Sequence, residues 1–249
     1  MKILFPLFTL LGIAGSHSLL AQSSSPADTV LLAQARQELA SRYTKSLAKN
    51  ASLYTGPEYL DYTKIYSKRE GHQFFLSEQR QIGSVFYDGV QYEQVPLLYD
   101  TRLDQVITTL PDNPLNVRLN RSLVKHFTYA DHRFIYLKPD SASASVAPTG
   151  FYDVVFADGI QLLAHRSKRM QEHPKQSGVE VEFTETDKYF LRKDNLLYPI
   201  QTKQSLLKVL RDKRRELQQF AREQKLSFQK DSREAAFLQL VEHYVSLRK

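Results

Sequence analysis

Between residues 73 and 200 the chain is divided into short apolar runs by turn residues, and this pattern constrains the fold more than any other feature of the sequence. The runs are rich in Val, Ile, Phe and Tyr, which is typical of β-strands. The pattern predicts ten strands in this β-rich core: Ser84–Tyr87, Val90–Tyr92, Val95–Tyr99, Gln105–Thr109, Asn116–Leu119, Arg133–Leu137, Phe151–Phe156, Ile160–His165, Val179–Phe183 and Tyr189–Arg192. Because the connections between most of them are short, we expect mainly antiparallel pairing.

Two Asp-Gly pairs stand between apolar runs, at Asp88-Gly89 and at Asp158-Gly159. A two-residue type I′ turn needs positive φ at both central residues, and Asp-Gly satisfies that need well. Both pairs therefore predict type I′ hairpins. A further turn is predicted at Lys193-Asp194-Asn195.

Helical periodicity flanks the β-rich core on both sides. Residues 22–50 predict one helix, capped near Ser25-Pro26, and residues 203–249 predict an amphipathic helical pair whose last helix is capped near Asp231-Ser232. The expected fold class is α+β, with one mainly antiparallel twisted sheet that could be rolled like a half-barrel. The N-terminal helix and the C-terminal helical pair would cover it, and residues 22–249 would form a single domain.

The first 21 residues have the pattern of a signal peptide. Lys2 supplies a positive charge, Ile3 to Ala14 are almost all apolar, and cleavage is predicted between Ala21 and Gln22. A membrane anchor is the alternative, but the apolar stretch is shorter than the roughly 20 residues of a spanning helix. The chain contains no Cys, so we expect neither disulfides nor attachment as a bacterial lipoprotein. The mature protein is expected to be soluble and either periplasmic or extracellular.

The positive charge of the chain is concentrated near its C-terminus. The formal net charge is +7, yet residues 203–249 alone hold 12 basic and 6 acidic residues. Five of the basic residues form the predicted anion or partner surface: Lys208, Arg211, Arg214, Arg215 and Arg222. Such a surface would suit an acidic lipid, glycan or protein of the envelope. Nucleic acid is not an expected partner of an exported protein, and a solvated helix face remains the plainer alternative.

Glu180 and Glu182 are the carboxylates that a hydrolase of envelope or extracellular polymers would use. On a strand they would share one face, roughly 7 Å apart, which is close to the spacing of the paired acids of glycosidases. The solvent face of a half-buried strand is the alternative. The sequence contains no Gly-rich phosphate loop, G-x-S-x-G elbow or H-E-x-x-H motif. We therefore assign no catalytic residue, metal ligand or cofactor.

Two other groups of side chains carry weaker hypotheses. Tyr59, Tyr62 and Tyr66 would share one face of a short helix, where they could stack on a ligand or pack against the sheet. His126, Asp131 and His132 form the closest His–acid cluster, and a nucleophile such as Ser84 or Ser122 would have to be brought to it by the fold.

Several segments together resemble a family of exported proteins of Gram-negative bacteria with no known activity: LYTGPEY, GHQFF, GSVFYDGVQYEQVPLLYD, DGIQLLAHRSKRM and the terminal EHYVSLRK. The resemblance covers nearly the whole mature chain, and it implies one domain and export without implying any site residue. The leading hypothesis is a non-catalytic binding or accessory protein of the cell envelope. The alternatives are a half-barrel carrier of a lipid or other apolar ligand, the hydrolase above, and a surface component anchored by its basic helices.

Overall fold

A computed structural model describes residues 36–38, 52–111, 113–138 and 147–248. The chain divides into a unit of residues 1–47 and a unit of residues 48–249. In the first unit residues 36–38 are helical. The predicted cleavage site at Ala21 and Gln22 and most of the predicted helix over residues 22–50 lie outside the described residues. The prediction of one domain over residues 22–249 stays a prediction.

The second unit is built on a ten-stranded antiparallel sheet. Its strands are β2 (Gln81–Tyr87), β3 (Val90–Asp100), β4 (Gln105–Leu110), β5 (Asn113–Arg118), β6 (Val124–Tyr129), β7 (His132–Leu137), β8 (Gly150–Asp158), β9 (Ile160–His165), β12 (Lys188–Lys193) and β13 (Leu196–Ile200). The spatial order is β13-β12-β9-β8-β7-β6-β2-β3-β4-β5, with β13 and β5 at the open edges. The predicted α+β class with a mainly antiparallel sheet is confirmed.

A second sheet of three strands was not expected. β10 (Lys168–Lys175) and β11 (Gly178–Glu185) form an antiparallel hairpin, and β1 (Lys68–Glu70) pairs with β11 in parallel. The prediction of a single sheet is therefore wrong, because the predicted strand Val179–Phe183 belongs to this smaller sheet. A 3-10 turn over Tyr62–Ile65 precedes β1.

The two Asp-Gly turns differ in backbone conformation, and only one of them is of type I′. Asp88 and Gly89 have φ of +48° and +77°, and the flanking Tyr87 pairs with Val90, so the first type I′ prediction is confirmed. At the second pair only Gly159 has positive φ. Asp158 still pairs with Ile160 because the register between β8 and β9 shifts near Phe156. One residue turns the chain there, and the type I′ prediction for this pair is wrong.

Fully buried aromatic rings fill the core on one face of the sheet. Tyr99, Phe127, Phe134 and Phe151 are all at 0% exposure. Phe127 stacks on Phe134 with ring centroids 4.7 Å apart, and Tyr99 and Phe151 meet edge to face at 6.0 Å. The rings pack against one another on this face of the sheet, so this part of the core is filled with side chains.

Three helices cover the other end of the sheet: α1 (Lys203–Val209), α2 (Arg214–Glu223) and α3 (Arg233–Ser246), with a 3-10 turn over Arg211–Lys213 between the first two. Leu207, Leu210, Leu217, Phe237 and Leu240 of this helical layer are fully buried in one cluster with Leu162 and Leu191 of the sheet. The predicted C-terminal helices are thus present. None of the described helices is long and apolar enough to span a membrane.

The caps of two helices differ from each other. Thr202 accepts a hydrogen bond from the Ser205 N–H and forms a capping box that starts α1. Ser232 stands at the N-cap of α3, as predicted, but its hydroxyl donates to Ser227 O at 3.0 Å and caps no helical N–H. Glu234, the acidic residue of that first turn, accepts hydrogen bonds from Arg166.

Candidate functional site

A groove of about 840 Å³ lies between the β12–β13 hairpin and the segment from α1 to α2. The hairpin turns at Asp194 and Asn195, which both have positive φ, so Lys193 and Asp194 stand at its tip. On the opposite wall, the capping box fixes where α1 begins. The lining residues are Lys193, Asp194, Tyr198, Pro199, Ser205, Lys208, Val209, Arg211 and Arg214. We refer to this feature as the basic groove.

Three of the five predicted anion-surface residues line the basic groove: Lys208, Arg211 and Arg214. Lys208 lies in the last turn of α1, Arg211 begins the 3-10 turn that follows, and Arg214 begins α2. All three are exposed. In the part of the chain that the structure describes, none of them makes an ion pair or a side-chain hydrogen bond. Their positive charges are therefore available to a ligand.

The fourth cation, Lys193, is held by two neighbours. Its Nζ lies 3.4 Å from Asp212 Oδ1 and 3.0 Å from the Tyr244 hydroxyl, which itself donates to Asp212 Oδ2 at 2.9 Å. Burial works against the charge of Lys193, but the hydrogen bond with Tyr244 and the charge of Asp212 outweigh it and raise its pKa. Burial similarly opposes the charge of Asp212, while the Tyr244 hydrogen bond and Lys193 lower its pKa. This pair is neutral overall, so among the described lining residues Asp194 is the acidic side chain that remains to offset Lys208, Arg211 and Arg214.

The basic groove also has an apolar wall. Tyr198 is half-buried, Pro199 is exposed, and Val209 is half-buried on α1. At the hairpin tip Leu196 is 42% exposed. Cations beside apolar side chains suit a ligand that has an anionic group joined to an apolar part. Tyr198 and Pro199 come from the hairpin and reach the helices only in the folded chain, so the helical pattern of the sequence did not indicate them.

Arg215 and Arg222 complete the predicted set but lie outside the basic groove. Both are exposed on α2 and neither is among the lining residues. The predicted surface is therefore divided into three groove residues and two residues on the solvated helix.

The predicted tyrosine face does not form, because only Tyr62–Ile65 is helical and that segment is a 3-10 turn. Tyr59 is 6% exposed, and the hydroxyls of Tyr59 and Tyr62 both donate to Asp100 Oδ2, at 2.9 and 3.1 Å. Tyr66 points elsewhere, to Glu172. Desolvation by burial, followed by the charge of Asp100, raises the pKa of Tyr59 and Tyr62. These side chains secure the Asp100 turn and do not form one stacking surface.

Glu180 and Glu182 lie on one face of β11, in a depression of about 250 Å³ with Glu70 of β1 and His173 of β10. Glu182 Oε2 is 3.6 Å from His173 Nε2, and the Glu182 side chain is 46% exposed. An open, hydrated pair of carboxylates lacks the water-excluded pocket that general acid catalysis uses to adjust a carboxyl group. Within the described residues no group of three or more His, Cys, Asp or Glu is arranged to hold a metal ion.

The predicted His–acid cluster separates. His132 Nδ1 is 2.8 Å from Asp153 Oδ2, and its acid partner is thus not Asp131. Asp131 occupies the β6–β7 turn with φ of +66°. Burial, with smaller effects of Arg133 and Lys125, lowers the pKa of His126, whose ring lies against Phe86. The hydroxyls of Ser84 and Ser122 bond instead to Thr128 and Asn120.

A buried ion-pair network surrounds Arg166, which is 7% exposed, and no motif in the sequence indicates it. Its Nε and Nη2 donate to Asp153 Oδ2 at 3.0 and 2.6 Å, its Nη1 donates to Asp187 Oδ2 at 2.9 Å, and both Nη atoms donate to Glu234. Burial opposes the charge of Arg166, but the hydrogen bonds to Glu234 and the charge of Asp153 outweigh it and raise the pKa. The adjoining cleft measures about 180 Å³. With all five N–H groups used, Arg166 joins elements of the fold and has no donor free for a ligand.

Comparison with known proteins adds no further assignment. No protein-family model matches the chain, and neither curated proteins nor solved structures gave a match. The resemblance to exported proteins of Gram-negative bacteria stays a prediction.

Proposed function

We propose that this protein is exported and acts as a non-catalytic accessory protein of the cell envelope, which binds an anionic envelope component in the basic groove. The observation that carries the proposal is the set of three exposed cations in one groove, Lys208, Arg211 and Arg214, which have no ion-pair partner among the described residues. Arg and Lys side chains bind phosphate and carboxylate groups through charge-assisted hydrogen bonds. The signal-peptide pattern of residues 1–21 supports export.

The other functions considered find less support. Glu180 and Glu182 are half-buried in a shallow depression that is open to solvent, which favours a hydrolase less than an enclosed site would. The aromatic core described above is filled by Phe127, Phe134 and their neighbours, so that face of the sheet does not offer the apolar cavity of a carrier. Binding through an exposed charged groove needs neither feature.

Anion binding is tested with soluble inorganic polyphosphate as the probe. The variant K208Q/R211Q/R214Q should bind it at least about tenfold more weakly, because the loss of even one of the three charge-assisted contacts costs about 1.5 kcal/mol. The matched control is R215Q/R222Q/K225Q, which removes the same charge from exposed positions outside the basic groove. Equal affinity of the groove variant and the wild-type protein, measured by fluorescence anisotropy, would refute the assignment.

Export is tested independently of binding. We expect the protein expressed with its own N-terminus in a Gram-negative host to reach the periplasm or the medium and to begin at Gln22. Peptide mass mapping of the exported fraction decides this. Recovery of a chain that begins at Met1, only in the cytoplasm, would contradict the proposed localisation.

A further inference from the structure

We propose that the basic groove docks the protein on the surface of a bilayer that contains anionic phospholipids, with lipid phosphates bound by Lys208, Arg211 and Arg214. This inference rests on the proposed function and names the chemistry of the anionic component. It is carried by the distribution of charge, by the apolar rim of the basic groove and by the nature of the neighbouring sheet edge.

The distribution of charge matches a surface that has many separate anions. Each groove cation is exposed and unpaired within the described residues, so each can bind a different phosphate. The surplus also extends beyond the basic groove, since residues 203–249 contain 12 basic and only 6 acidic residues. Basic segments of this kind are attracted to anionic membranes over a distance of about one Debye length, roughly 8 Å at physiological salt.

The rim of the basic groove provides contacts that a free anion would not use. Pro199 and Tyr198 line the basic groove, the first exposed and the second half-buried, and Leu196, two residues before Tyr198 on the same strand, is 42% exposed. Tyr side chains are favoured at the level of lipid headgroups, because the ring is apolar and the hydroxyl is polar. The aliphatic parts of Lys and Arg can lie along apolar surface while their charged ends reach phosphate.

The sheet edge beside the basic groove argues against an extended acidic peptide as the partner. β13 is an edge strand, but Pro199 removes a backbone donor from it, and a partner strand cannot continue the hydrogen-bond ladder at that position. Recognition is then left to side chains. A peptide would need acidic residues in register with three cations, whereas lipids diffuse independently to each one.

The experiment is co-sedimentation with vesicles of phosphatidylcholine alone and of phosphatidylcholine mixed with phosphatidylglycerol. We expect the wild-type protein to sediment only with the anionic vesicles and to be released by high salt. K208Q/R211Q/R214Q should bind about 100-fold more weakly, because each cation near an anionic surface contributes about fivefold. The control R215Q/R222Q/K225Q should lose less, since its cations lie outside the basic groove. Equal losses in the two variants would overturn the assignment to the basic groove.

A second variant separates a lipid surface from a soluble anion. Leu196→Ser should weaken binding to anionic vesicles and leave binding to soluble polyphosphate unchanged, because only the bilayer contacts the apolar rim. Polyphosphate binding without vesicle binding would overturn the bilayer inference and leave the proposed function standing. Binding to neither probe would overturn both. Preferential binding of poly-glutamate would replace the lipid with an acidic protein partner. Since the substituted side chains are exposed, the circular dichroism spectra of the variants should match the spectrum of the wild-type protein.

Discussion

Arg166 is a single side chain that connects elements far apart in the sequence. Its carboxylate partners lie on β8, in the β11–β12 connection and in the first turn of α3, and the ring of Phe75 lies 5.7 Å from its guanidinium carbon. Asp153 is 1% exposed and also bonds to His132. A planar fork with five donors suits this arrangement, and the single ammonium group of Lys could not reproduce it.

Replacing Arg166 should therefore destabilise the fold strongly. Arg166→Met would leave three carboxylates without their cation, and breaking a buried ion pair by removing one partner costs about 3–5 kcal/mol. The measurement is the free energy of unfolding in urea.

Arg222→Met is the matched control for that substitution. Arg222 is exposed and has no ion-pair partner in the described part of the chain, so the same chemical change should alter stability by less than about 0.5 kcal/mol. Similar losses for the two variants would show that the network contributes little.

At the level of elements, the features that could be predicted were those determined by a few neighbouring residues. Asp88-Gly89 determines its hairpin through two residues, and the density of basic residues after residue 203 indicated a basic surface that includes Lys208, Arg211 and Arg214. β10 was missed because KRMQEHPK is mainly charged and mostly exposed, which leaves no apolar alternation to detect. Tyr198 and the Arg166 partners reach their sites only through tertiary pairing, and no pattern along the chain encodes that.

Gly83 and Gly89 are needed for different reasons: a side chain at residue 83 would clash, and residue 89 has a positive φ. A Cβ on Gly83 of β2 would lie 2.0 Å from the backbone oxygen of Thr128 on β6, while nothing lies within 4 Å of a Cβ on Gly89. Gly83→Ala should therefore disrupt the β2–β6 pairing and destabilise the protein by about 3 kcal/mol or more. Gly89→Ala, at φ of +77°, should cost only about 1–2 kcal/mol.

Far-UV circular dichroism during urea unfolding distinguishes these two glycine variants. A smaller loss of stability for Gly83→Ala than for Gly89→Ala would show that β2 and β6 do not approach as closely as the structure places them.

At the scale of the whole molecule, burial of histidines makes stability depend on pH. Desolvation by burial is the largest cause that lowers the pKa of His72, His126 and His165 from 6.5. Folded-state pKa values below the unfolded value mean that the unfolded chain binds more protons in acid. This contribution to stability is complete above about pH 6.5 and is lost as the pH falls toward the folded-state pKa values.

The free energy of unfolding should accordingly decrease between pH 7.5 and pH 5.5. His165→Gln should reduce the slope, because Gln binds no proton in either state. Urea titrations at both pH values measure the effect, and an unchanged slope in the variant would mean that His165 does not contribute to it.

The position of Glu234 has a consequence for the order in which a newly made chain can fold. Glu234 follows Arg166 by 68 residues and lies in the last helix of the described chain. During synthesis, Asp153 on β8 and Arg166 in the β9–β10 connection are made before this final partner. Until Glu234 is made, the Arg166 guanidinium lacks one of its three carboxylate partners, and the helical layer over the sheet is incomplete. The native ion-pair network of Arg166 is therefore completed only when the last helix of the described chain is in place.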